Sequence, residues 1–81
     1  LLLRQAATIV ANRRAVYGDP ASSMDLVARR WSITLGLTVT PAQVTLCLID
    51  LKLARLAHDP THLDSMVDIA GYAAVLREVN Q

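Results

Sequence analysis

Apolar residues recur along this chain at intervals of three and four, and nowhere do they alternate with polar ones long enough to make a strand. Leu3, Ala6, Ala7, Val10, Arg14 and Tyr17 keep helical spacing, which predicts a first helix over 2–16. Gly18 stops it. Asp19 then offers a carboxylate as N-cap and Pro20 suits the first helical position. A second helix follows over 20–35, with Met24, Val27, Ala28, Trp31 and Leu35 as its apolar stripe and Gly36 as its end. Thr40, Pro41 and Gln43 spell a capping box, so a third helix runs over 41–58. The segment "HDPTHLD" breaks it, and Asp59 or Thr61 caps a fourth helix over 61–79. Short connections make neighbours antiparallel. The expected architecture is a single all-α domain over 1–81, a small four-helix bundle of antiparallel hairpins.

The third helix is apolar nearly all round, from Val44 to Leu56, so it is expected to be buried nearly all round. Its polar stripe is Thr45, Lys52, Arg55 and Asp59, which makes Lys52 and Arg55 neighbours about one turn apart. The fourth helix carries the complement. Asp64, Asp68 and Tyr72 recur every four residues along one face, opposite Met66, Ile69, Ala73, Val75 and Leu76. In a hairpin of these two helices, Lys52 and Arg55 are expected to reach Asp68 and Asp64. Charges taken out of water persist when they are paired and hydrogen-bonded.

Composition adds one expectation. Of the 81 residues 53% are hydrophobic, yet only 4% are aromatic and Phe is absent. That is more aliphatic mass than one small bundle absorbs, so a homo-oligomer, dimer or higher, is expected. The net charge of +1 gives no global field for nucleic acid or an anionic membrane, and the pairs Arg13-Arg14 and Arg29-Arg30 read as solvated faces. The single Cys47 excludes an internal disulfide and reads as a buried, inert thiol. Trp31 reads as core, and His58 as a cation at a helix C-terminus. Arg4 and Gln5 break the opening apolar run, which argues against a signal peptide, and no segment approaches a membrane span. A cytoplasmic location, in a bacterium or a phage host, is the matching expectation. The chain opens on Leu1 rather than Met, as it would if further residues preceded it.

The candidate chemistry lies in the charged cluster. Lys52 and Arg55 suit phosphate, with Arg able to hold two oxygens at once. Asp64 and Asp68 are weak candidates for a Mg²⁺ site completed by water; no other cofactor is implied. Tyr17, Asp19 and Tyr72 would shape the pocket. The bland alternative is that the four charges neutralise one another and only fix helix register, with Tyr17-Gly18-Asp19 as a helix stop and cap. There is no Ser-His-Asp or Cys-His arrangement and no Gly-rich phosphate loop.

"YGDP" at 17–20, Trp31, "LG" at 35–36 and "LKLARLAHDPTHLDSMVDIAGYAA" at 51–74 together resemble a family of small phage and prophage proteins without an established activity. The resemblance covers roughly residues 14–76; it departs at Ser23, where that family has Asn. More distantly the chain resembles nucleotide-modification-associated phage domains and MazG-type all-α nucleoside triphosphate pyrophosphohydrolases. That likeness implies a Mg²⁺-binding helical bundle, with Lys52 and Arg55 standing at its first acidic pair and Asp64 and Asp68 at its second. The first pair is inverted in sign, and cations beside the acids neutralise the metal site. Three functions therefore stand: an accessory binder of a nucleotide or related phosphorylated small molecule; a structural or protein-interaction module; and, third, a divergent Mg²⁺-dependent pyrophosphohydrolase. A non-enzyme is favoured.

Overall fold

The computed structural model describes residues 19–80 together with Arg4. The predicted helix over 2–16, and with it the fourth member of the bundle, lies outside the described residues. Those residues form three helices and no strand: α1 is Pro20–Leu35, α2 is Pro41–His58 and α3 is Leu63–Val79.

The helix ends follow from local chemistry. Asp19 is the N-cap of α1, its Oδ1 accepting from the Ala21 N–H at 3.4 Å, with Pro20 beginning the helix. Gly36 ends α1 in the left-handed region at φ 70°, donating its N–H to the Ser32 carbonyl. The capping box of α2 is complete. The Gln43 N–H donates to Thr40 Oγ1 at 3.1 Å, and the Thr40 N–H donates to Gln43 Oε1 at 2.9 Å.

The connection between α1 and α2 is held by one hydroxyl. Ser32 Oγ donates to the Ala28 carbonyl at 2.7 Å and accepts from the Val39 N–H at 2.9 Å. The connection between α2 and α3 is a carboxylate turn. Asp59 Oδ1 accepts from the Thr61 N–H at 3.1 Å and from the Thr61 hydroxyl at 2.7 Å.

The start of α3 differs from the expected one. It begins at Leu63, and its N-cap is His62 rather than Asp59 or Thr61. Asp59 is already occupied as the cap residue closing α2 and as the acceptor of the turn, and Thr61 donates to it. The role passes to the next side chain with an acceptor atom. His62 Nδ1 accepts from the Ser65 N–H at 3.2 Å and lies 2.7 Å from Ser65 Oγ.

Packing is centred on the α2–α3 hairpin, with α1 laid against both. Its buried residues are small: Ala28, Val44, Val67 and Val75, with Thr45, Ser65 and Gly71. Thr45 sits in this layer because its hydroxyl donates to the Pro41 carbonyl at 2.9 Å, one turn back. A fully buried Val contributes about 1.5–3 kcal/mol. Larger aliphatic residues are half-buried, such as Leu48, Leu56 and Leu76, or lie at the surface. Leu26, Ile33, Leu35, Leu37, Leu46, Leu51, Leu53 and Leu63 are all exposed.

Two expectations about α2 are thereby corrected. It is not buried nearly all round, and Cys47 is exposed rather than buried. The reason is geometric: α1 and α3 cover one side of a helix whose other side is equally apolar. Trp31 is half-buried rather than enclosed. In α3 the side expected to be polar is turned inward. Asp68 and Tyr72 are half-buried beside Gly71 and Val75, while Ala73 is exposed. No described helix is long and apolar enough to cross a membrane.

Candidate functional site

Lys52 and Asp68 stand at nearly equal distances from the 59–62 turn, Lys52 before it and Asp68 after. An antiparallel hairpin brings such positions level. Lys52 Nζ lies 2.9 Å from Asp68 Oδ2, and each side chain is 18% exposed. This is the contact expected between the two helices.

Arg55 does not extend it. Three residues along α2 turn the side chain about 60° from the Lys52 direction, away from the middle of the α3 face. Arg55 and Asp64 are both exposed, and the described residues contain no ion pair between them. Asp64 instead occupies the first turn of α3, where a carboxylate complements the helix dipole. The expected four-charge cluster is thus one shielded pair and two separate surface charges. Tyr72, one turn beyond Asp68, is half-buried. Asp19 is engaged as the α1 cap, its Oδ2 also accepting from Ser22 Oγ at 3.4 Å. Tyr17 lies outside the described residues.

Arg55 belongs to a different feature. With Leu51, Ala54, His58, Asp59 and His62 it lines an open groove of about 430 Å³ at the α2–α3 turn. Arg55 and His58 sit in the last turn of α2, as suits cations at a helix C-terminus. Asp59 at the groove's edge has its carboxyl held below the ordinary Asp value, first by the Thr61 hydroxyl and then by the Thr61 N–H, with His62 adding a smaller electrostatic effect; slight burial acts the other way. Sequence reasoning missed His62. Its signal was a His three residues before a Ser, at capping spacing, but His is not among the usual N-cap residues. Among the described residues, no three His, Cys, Asp or Glu side chains converge to hold a metal ion.

A second groove, of about 360 Å³, is almost wholly apolar. Trp31 and Leu35 of α1, Leu37 and Val39 of the connection, and Leu46 and Cys47 of α2 line it, with Gln43 at its edge. Leu46 and Cys47, which line it, are exposed residues of α2.

Comparison with known proteins agrees with the resemblance to phage proteins. The profile described as Domain of unknown function (DUF6378) matches residues 1–80. The Gene 55 protein of Mycobacterium phage L5 is 38% identical over 80 residues, covering 96% of this chain and 51% of its own length. The chain therefore spans about half the length of this curated relative. No solved structure matches. Neither match carries the likeness to MazG-type hydrolases or to nucleotide-modification domains. The chain belongs to the DUF6378 family, a group that reaches into phage genomes.

Proposed function

We propose that this protein is a phage or prophage accessory module that acts by docking other protein surface onto its aliphatic exterior, in the cytoplasm of the bacterial host. The observation that carries this reading is the placement of large aliphatic residues: among the described residues seven leucines and Ile33 are exposed, while the fully buried positions are Ala, Val, Thr, Ser and Gly. Exposed apolar area of this kind, rimmed by polar residues, marks interaction surfaces. The Lys52–Asp68 pair supports the same reading, because it engages Lys52 in fixing the hairpin. On the sequence pattern, the amphipathic segment 2–16 adds the fourth helix of the bundle, and a homo-oligomeric assembly accounts for the surplus of aliphatic residues.

The test is the native mass of a tagged copy in bacteria carrying the phage. The wild type is expected in a complex larger than the monomer. Leu46→Glu with Leu53→Glu, both at exposed sites, is expected to release it while helicity is unchanged. A complex of the same mass with both variants in place would overturn the reading.

A second reading rests on the groove at the α2–α3 turn. Arg55, His58 and His62 there offer donors to a phosphorylated small molecule such as a nucleotide, without needing Lys52. Calorimetry with nucleoside mono-, di- and triphosphates tests it. Heat that disappears in Arg55→Ala supports it, and no heat with any of them ends it.

A further inference from the structure

The outer faces of α1 and α2 carry the same pattern with opposite charge. On α1, Leu26 (59% exposed) and Ile33 (83% exposed) are seven residues apart, with Arg29 and Arg30 between them. On α2, Leu46 (48%) and Leu53 (50%) are also seven residues apart, with Asp50 between them. Seven residues are two helical turns, so each pair of apolar side chains lies on one line with its charge at the middle. Arg30 and Asp50 are exposed, and neither has an ion-pair partner among the described residues. Among the described residues Arg29 is paired within its own helix, with Asp25 at 2.7 Å, in an exposed one-turn contact that is readily exchanged.

Resting on the docking reading above, we infer that the partner is a second copy of this chain, with the outer face of α1 in one copy seated on the outer face of α2 in the next. The match works in either direction. With the helices parallel, Leu26 meets Leu46, Arg30 meets Asp50 and Ile33 meets Leu53. With them antiparallel, Leu26 meets Leu53, Arg29 meets Asp50 and Ile33 meets Leu46. Like pairing does not work: α1 on α1 sets arginines against arginines, and α2 on α2 brings the two Asp50 carboxylates together. Unlike charges at the centre of an apolar seam select the crossed arrangement and reject both others. Every copy has both faces, so the contact is made reciprocally in a closed dimer or successively in a ring.

The experiment uses charge reversal and mixing, read by sedimentation equilibrium of the purified full chain. The wild type is expected to associate. Asp50→Arg alone, and Arg29→Glu with Arg30→Glu alone, are each expected to weaken association at least tenfold, because each sets like charges across the seam. Mixing the two variants in equal amounts is expected to restore it, since every crossed contact then regains an opposite pair. Circular dichroism checks that each variant keeps its helices. A wild type that is monomeric at all concentrations, variants that associate as tightly as the wild type, or a mixture that stays dissociated would each overturn the inference. A purified monomer combined with a Leu46- and Leu53-dependent complex in cells would overturn this inference alone and leave the docking reading standing with a different partner.

Discussion

Lys52 of α2 and Asp68 of α3 meet at 2.9 Å across the hairpin, with each side chain four-fifths removed from solvent. A pair this sheltered gains from its attraction and loses much of its hydration, so its net worth is small while the cost of breaking it is large. Its effect on structure is registration: α3 cannot slide along α2 by a turn without separating the two charges.

Lys52→Met is expected to destabilise the fold by about 2 kcal/mol, because it removes one partner of an ion pair sheltered from solvent. Asp68→Leu is expected to cost a similar amount. The double variant is expected to recover part of the loss, with a coupling of about 1–2 kcal/mol between the sites. Urea unfolding of the four species checks it. Strict additivity would mean that the contact carries no energy.

Thr40→Ala is expected to lower stability by about 1 kcal/mol, since it removes the acceptor for the Gln43 N–H. For a domain of this size that is a fall in Tm of about 4–8 °C. Thr40→Ser keeps the oxygen and is expected to stay close to wild type by thermal melting.

His62→Ala is expected to unfasten the first turn of α3, at a cost of about 1 kcal/mol, and to speed hydrogen exchange of the Ser65 amide about fivefold. His62→Asn supplies another side-chain acceptor at the same position and is expected to retain most of the protection. Equal exchange in all three proteins would show that the ring does not cap.

Thr61→Val is expected to raise the Asp59 pKa toward its ordinary value, as read by NMR titration of the carboxyl carbon, because the Thr61 hydroxyl is the main cause of the depression. A carboxyl whose folded pKa is lowered adds stability above its unfolded pKa of about 3.9, and that stability is lost as pH falls through the folded value. The wild-type stability curve is therefore expected to fall more steeply in acid than that of Thr61→Val, below about pH 4, and the wild type's advantage, present in full near neutrality, to vanish once the carboxyl is protonated in both.

The boundaries of α1 and α2 were legible because Pro, Gly, Asp and Thr act locally. Asp19-Pro20, Gly36 and Thr40-Pro41 need no tertiary partner to do what they do. The α3 start was not legible, because it depends on competition: Asp59 and Thr61 satisfy each other, and the cap falls to His62. The Lys52–Asp68 contact followed from equal distance to the turn. Arg55–Asp64 failed on the same principle, since a 60° rotation on α2 aims Arg55 at the groove instead. Burial of α2 was the largest misreading. Its sequence specifies that all its sides are oily, not that a neighbour exists to cover each of them, and Leu46, Cys47, Leu51 and Leu53 are left facing outward.

The Ser32 hydroxyl clasps the 36–39 connection from both ends, donating to Ala28 within its helix and receiving the Val39 amide from across the bend. The outer faces of α1 and α2 are thus not independent appendages but parts mounted on one bracket. Extra residues spliced between Gly36 and Val39 would break the bracket and leave both surfaces intact but misaimed, so an epitope or reporter intended to leave the mutual placement of α1 and α2 untouched belongs elsewhere on the chain.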